Sequence, residues 1–222
     1  MFPSIEGSTQ IAPKAMAQVF ESANVSGIRI GDPVAGRGMT TCSLSDADGK
    51  PLIFQLGSPE APLRSPFGAG VYGSKDENDK ATRLNLDALI TERPDIISKF
   101  REIDQQIVTW LQANADKFPR IKKKPHEQYR PITFEDASYG TTRVRMKMNT
   151  AGLNAAKGWT IEDKARVPDL KTVNFRETPF VLIIQLSKLW FMSKEVGCTI
   201  EVKHAILTNG ADDVFPLDAF MA

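Results

Sequence analysis

Residues 141–148 read Thr-Thr-Arg-Val-Arg-Met-Lys-Met, a spacing that could bind a polyanion. Side chains alternate across a strand, so Arg143, Arg145 and Lys147 share one face while Val144, Met146 and Met148 share the other. One face is a core and the other a row of cations. A solvated outer face would look the same, since charged outer faces are common on antiparallel sheets. The surroundings favour function. Between residues 120 and 147 stand eight basic residues, Arg120, Lys122, Lys123, Lys124, Arg130, Arg143, Arg145 and Lys147, against three acidic ones, Glu127, Glu135 and Asp136. The whole chain has a net charge of +1, so this excess is local. Tyr129 and Tyr139 stand within it. Cations that follow a phosphate backbone, interleaved with rings on which bases stack, are what sequence-tolerant single-strand binding requires.

A second segment, KLWFMSKEVGCTIEVKHAIL at 188–207, sets Trp190 and Phe191 among lysines that include Lys188. Neighbours on a strand face opposite ways, so one ring belongs in the core and the other can serve as a platform. Trp190 is the choice for the platform, and a one-residue change of register would hand that role to Phe191. The same alternation puts His204 in the core register with Cys198, Ile200, Val202 and Ile206, as a satisfied, partly buried histidine rather than a catalytic one.

Other chemistry is poorly supported. GAGVYG at 68–73 matches a dinucleotide-binding pattern, but RSPF precedes it and SKDEND follows it, so neither a buried strand nor a helix start flanks the glycines. His126 and His204 lack metal-ligand spacing, Cys42 and Cys198 are too far apart for a CxxC site, and no nucleophile or Walker motif occurs. A non-enzyme without cofactor is expected. The two distant cysteines suit a reducing, intracellular compartment, and no apolar run nears the roughly 20 residues that span a bilayer.

These segments need elements to hold them. The spacing of Ile96, Phe100, Ile103, Ile107 and Leu111 predicts one long helix over 92–118, with Thr91 as its cap, Pro94 in its first turn and Pro119 at its end. GMTTCSLSDADGKPLIFQLG reads as a β-hairpin about Asp46-Ala47-Asp48-Gly49, and SYG at 138–140 marks another hairpin turn. ATRLNLDAL, FVLIIQL and TIEVKHAIL read as strands. Residues 58–80, dense in Pro, Gly and charge, read as a surface loop; residues 120–131 read as a basic linker and 151–179 as a connection with little regular structure. About six strands around one helix, without βαβ alternation, give a mainly β protein, a small antiparallel barrel or sandwich.

The order of KPLIFQLGSPEAPLRSPFGAGVY, a strand and a helix, YRPITFEDASYGTTRVRMKM and KLWFMSKEVGCTIEVKHAIL resembles the single-stranded DNA-binding proteins of large double-stranded DNA viruses. It resembles more distantly the OB-fold single-strand binders of tailed phages. The resemblance spans about residues 42–207. It implies an OB-like antiparallel barrel with one long α-helix packed beside it, a function in DNA replication, recombination or repair, and a viral protein in host cytoplasm or nucleus. On that basis residues 1–41 are an extension packed on the barrel, 42–209 the OB-like domain, and 210–222 a short tail. By position it nominates Arg143, Arg145, Lys147, Trp190 and Phe191 for single-stranded DNA. Lys188, Lys122, Lys123, Lys124, Tyr129, Arg130 and Tyr139 join them as candidates. Asp212, Asp213, Phe215 and Phe220 would offer the tail to replication proteins. A structural virion protein and a single-stranded RNA binder are the alternatives.

Overall fold

The computed structural model describes residues 17–36, 38–71, 82–118 and 124–208. Its centre is a hairpin of two long strands, β12 (Phe180–Phe191) and β13 (Val196–Leu207), closed where the Met192 N–H donates to the Glu195 carbonyl. Around it stand β1 (Gln18–Val19), β2 (Arg29–Ile30), β3 (Val34–Ala35), β4 (Thr40–Ser45), β5 (Leu52–Leu56), β6 (Ala69–Gly70), β7 (Arg83–Leu89), β8 (Thr133–Asp136), β9 (Thr141–Asn149), β10 (Lys157–Thr160) and β11 (Arg166–Val167). The main path runs β1-β5-β12-β13-β9-β7-β6, with β4 also on β12, β8 also on β9, and β10 also on β13. Its end strands β1 and β6 do not pair with each other, so among the described residues the sheet is mainly antiparallel but is not the closed barrel expected. The pairs β1–β5, β9–β13 and β10–β13 are parallel.

The helix α1 (Pro94–Ala113) buries the five residues predicted for its inner face, Ile96, Phe100, Ile103, Ile107 and Leu111, each fully. Each such side chain contributes roughly 1.5–3 kcal/mol on burial, which outweighs any deficit at the helix ends. Phe100 meets the buried Phe20, and Phe20 meets Phe54 of β5, which ties the helix and the segment before β2 to the sheet. The helix is shorter than the predicted 92–118. It starts after Arg93, without a side-chain cap, and Thr91 instead uses its Oγ1 to accept the Thr142 N–H at 2.9 Å. Beyond Asn114 a single 3-10 turn delivers Phe118 to the core, where it stacks on Phe191 at 4.1 Å.

Two β-bulges in the central hairpin decide which residues face the core. Leu186 lies opposite Ile200 but Lys188 lies opposite Thr199, so Ser187 is an extra residue in β12. Strict alternation from Leu182, Ile184 and Leu186 would put Lys188 and Trp190 in the core. The bulge reverses the phase, so Leu189 and Phe191 go in and Lys188 and Trp190 go out. Likewise Ile183 lies opposite His204 and Ile184 opposite Val202, which makes Lys203 the extra residue in β13. Ala205 then joins the core and His204 turns to the other face, contrary to the expected register. There His204 is partly buried and its Nδ1 accepts a hydrogen bond from Trp159 Nε1 at 3.1 Å.

Three further expectations need correction. The segment about Asp46 is a closed turn, with Gly49 at φ +81° and Asp46 Oδ1 accepting the N–H groups of Asp48 and Lys50, but β4 and β5 do not pair as a hairpin. Both lie on the same edge of β12 and run the same way, β5 against residues 182–186 and β4 against 188–191, so the turn is an excursion opposite the Ser187 bulge. The described part of the Pro-rich segment, residues 58–71, is not a free surface loop, because buried Leu63 exchanges backbone hydrogen bonds with Phe180 and β6 pairs with β7, and the rest of that predicted loop lies outside the described residues. The connection before β12 holds β10, β11 and the buried residues Leu170 and Phe175. The turn between β8 and β9 forms as predicted, with Gly140 at φ +58°.

Candidate nucleic-acid interface

The alternation in β9 is as expected, since Val144, Met146 and Met148 are fully buried opposite Arg143, Arg145 and Lys147. The three cations nevertheless differ sharply. β8 folds back along one edge of β9, setting Asp136 opposite Thr141 and Phe134 opposite Arg143, while β7 along the other edge sets Asp87 opposite Arg145. Arg143 is 5% exposed, with Nη2 2.6 Å from Asp136, Nη1 3.6 Å from Asp87, and its guanidinium carbon 4.4 and 4.6 Å from the ring centres of Phe134 and Phe67. This corrects its nomination, because a cation buried against two carboxylates and two rings has no surface to offer a phosphate. Arg145 makes two hydrogen bonds to Asp87, at 2.7 and 2.8 Å, and keeps 44% of its side chain exposed. Lys147 is half-buried. Its ammonium pKa is lowered, first by burial and then by Arg83 and Lys188, against an opposing pull from Glu201.

The Ser187 bulge carries Lys188 and Trp190 to the face that also bears Gly197 and Thr199 of β13. A groove of about 480 Å³ opens there, lined by Arg130, Phe134, Arg145, Lys147, Trp190 and Thr199. The Trp190 indole covers Gly197, and a Cβ at that position would lie 2.4 Å from its Cζ2. Arg130 reaches the groove because its N–H donates to the Val196 carbonyl at 2.8 Å, and its guanidinium pairs with Glu195. The arrangement sets one indole, one phenyl ring and several cations around a cleft, which suits stacked bases and a phosphate backbone.

The remaining nominated residues separate clearly. Phe191 is 2% exposed and belongs to the core, because the bulge turns it inward against Phe118. Tyr129 is also corrected. Its ring packs against the core and its hydroxyl donates to Asp104 of α1 at 2.6 Å. Lys124 is exposed and Tyr139 is 75% exposed, but neither lines the groove. Lys122, Lys123, Asp212, Asp213, Phe215 and Phe220 lie outside the described residues. The sequence reading missed Phe134 and Asn85 of the groove wall, and Phe67, which lies outside the groove over Arg143. ITFEDASYG held the signal for the first, since Phe134 alternates with Asp136 toward the cationic face of β9.

Asp104 fixes one wall of this site. It accepts the Tyr129 hydroxyl and the Ile132 N–H, and burial still pushes its carboxyl from 3.8 up to about 6. An acid whose folded pKa lies above its unfolded value binds more protons when folded, so its contribution to stability falls as pH rises from about 4 to about 6. In urea unfolding across that window, Asp104→Asn is expected to lose this slope, gaining up to about 3 kcal/mol relative to the parent between pH 4 and 7. Parallel pH profiles for the two proteins would contradict the shift.

Among the described residues no three His, Cys, Asp or Glu side chains gather as a metal site, and no helix is long and apolar enough to cross a membrane. Burial, with Asp32 nearby, pushes the Cys42 thiol up to about 11, and burial pushes the Cys198 thiol up as well. Neither is a nucleophile at neutral pH.

No protein-family model matches this chain, and no curated protein does. Solved structures that are similar include gp2.5, a single-stranded DNA-binding protein encoded by bacteriophage T7, at 13% identity and a TM-score of 0.45 over 72% of this chain and 93% of that one. A C-terminally truncated single-stranded DNA-binding protein from bacteriophage Enc34 is 7% identical, with a TM-score of 0.46 over 85% of this chain and 96% of that one. The Enc34 protein in complex with single-stranded DNA is 10% identical, with a TM-score of 0.40 over 83% and 97%. At these identities and TM-scores the likeness establishes neither the fold nor the function of this chain. The resemblance to proteins of large double-stranded DNA viruses remains an expectation.

Proposed function

We propose that this chain is a sequence-independent, non-catalytic single-stranded DNA-binding protein that serves replication, recombination or repair. The observation that carries the reading is the Trp190 indole seated over Gly197 in a groove it shares with Lys147, Arg145, Arg130 and Phe134. A base stacks on the indole, a second meets Phe134, and the cations neutralise the phosphates between them. Stacking does not read base edges, which makes the binding tolerant of sequence. The open, bulge-bent sheet is accordingly read as a divergent OB-like barrel. Contact of replication proteins with residues 210–222 belongs to the same proposal.

The test is a fluorescence titration with oligothymidine. Trp110 packs on Phe118 within reach of Lys117, and Trp159 stacks on His204, so neither lies in the groove. Quenching is therefore expected to disappear in Trp190→Phe. With Arg130, Arg145, Lys147 and Lys188 as the contacts, log K against log salt is expected to fall with a slope of about −3, at roughly −0.7 per phosphate. Affinity that does not weaken between low and moderate salt overturns the proposal and favours a structural protein. Tighter binding to oligouridine than to oligothymidine would make RNA the partner.

A further inference from the structure

The cationic face does not end at the groove. Across the strands, Phe134 of β8 lies opposite Arg143 of β9, Arg143 opposite Leu89 of β7, and Leu89 opposite Arg64. Cross-strand partners project from one face, so Arg64 shares the face of Phe134 and Arg143. Phe67 comes over from the same segment as Arg64 and lays its ring on the Arg143 guanidinium, yet remains 57% exposed. Beside it runs Arg176, close enough that a Cβ at Gly68 would lie 3.3 Å from its Cγ.

This second patch differs from the groove in its charge balance. Arg145 is bound to Asp87 and Arg130 to Glu195, so the groove arginines are already paired with carboxylates. Arg64 and Arg176 are exposed, and neither has an ion-pair partner among the described residues. Two exposed cations beside an exposed ring are well suited to a phosphate and a base. Buried Arg143 joins the two patches, because Phe134, which lines the groove, and Phe67, which does not, both rest on its guanidinium.

We infer that a nucleic-acid strand leaving the groove passes over Phe134 and Arg143 to a second subsite, where Phe67 stacks a flanking base and Arg64 and Arg176 pair with its phosphates. The inference rests on the reading of the groove as a single-strand site. Three strand spacings separate β8 from Arg64, roughly 14 Å, so the second subsite adds a few nucleotides to the footprint.

Oligothymidines of about 4 and about 10 nucleotides separate the two subsites, within the range one such domain covers. The parent is expected to bind the longer oligomer more tightly and with a steeper salt slope. Phe67→Ala should weaken the longer oligomer at least about fivefold and leave the shorter unchanged. The double variant Arg64→Ala/Arg176→Ala should lower the slope for the longer oligomer by about 1.4 and not for the shorter. Because Phe67 covers Arg143, unchanged binding of the shorter oligomer also shows that the variant is folded, and the exposed arginine pair gives an independent result. If both variants bind the longer oligomer as the parent does, the second subsite is refuted and the groove stands. If the parent binds neither oligomer, both readings fall together.

Discussion

Gly197→Ala is expected to weaken binding to single-stranded DNA at least about fivefold while leaving the fold as stable as before, or slightly more so. The new Cβ would stand 2.4 Å from Cζ2, 2.7 Å from Cε2 and 3.1 Å from Nε1 of Trp190, so the indole must leave its seat. The displaced group is the end of a side chain rather than backbone, so the strand need not move. Gly197 has no positive φ, and alanine in an extended strand reduces the entropy of the unfolded chain, typically by 0.4–1 kcal/mol. Stacking of one base on a ring is worth roughly 1–3 kcal/mol, which sets the size of the loss. The same substitution in a Trp190→Ala background should cost nothing further, since the platform is already gone. Additive losses in that double-mutant cycle would mean that Gly197 acts elsewhere than through the indole.

Arg143→Ala is expected to destabilise the fold by about 3–5 kcal/mol, the range for removing one partner of a buried ion pair. The side chain is 6% exposed, as is that of Asp87, and Asp136 has only 21% exposure, so the carboxylates would keep their burial and lose part of their compensation. Arg145 would still hold Asp87, which leaves Asp136 as the principal uncompensated group. Urea unfolding measures the loss. Under conditions where the variant remains folded, its salt slope for binding should equal that of the parent. Lys147→Ala should behave the opposite way, with little change in stability and a slope smaller by about 0.7. An Arg143→Ala protein as stable as the parent but with a reduced slope would return Arg143 to the interface.

The contrast between Arg143 and Lys147 shows how far one sequence can be read. Alternation correctly put both on the face opposite Val144, Met146 and Met148, because the two-residue period is a property of the strand itself. It could not tell them apart, because the difference comes from Asp87 on another strand and from Phe67 on a distant segment. The helix was easier. Ile96, Phe100, Ile103, Ile107 and Leu111 recur at the helical period, and all five are buried. Its ends were not, since Thr91 found a better partner in Thr142 than in the helix.

Trp190 and Phe191 carry the same lesson into the site. That adjacent rings must face opposite ways is local geometry, and the sequence by itself determined it, as it determined the apolar helix face, the turn at Gly140 and the alternating cations of β9. Which ring faces out depends on strand phase, and phase is set by pairing. The extra residue Ser187 reverses it only because β13 passes directly from Ile200 to Thr199 where β12 takes two steps. Tertiary structure alone decided that Trp190 sits on Gly197, that Phe191 is core, that Arg143 is buried and that Phe67 extends the cationic face. Each of these depends on contacts between residues far apart in the chain, where no local period carries information.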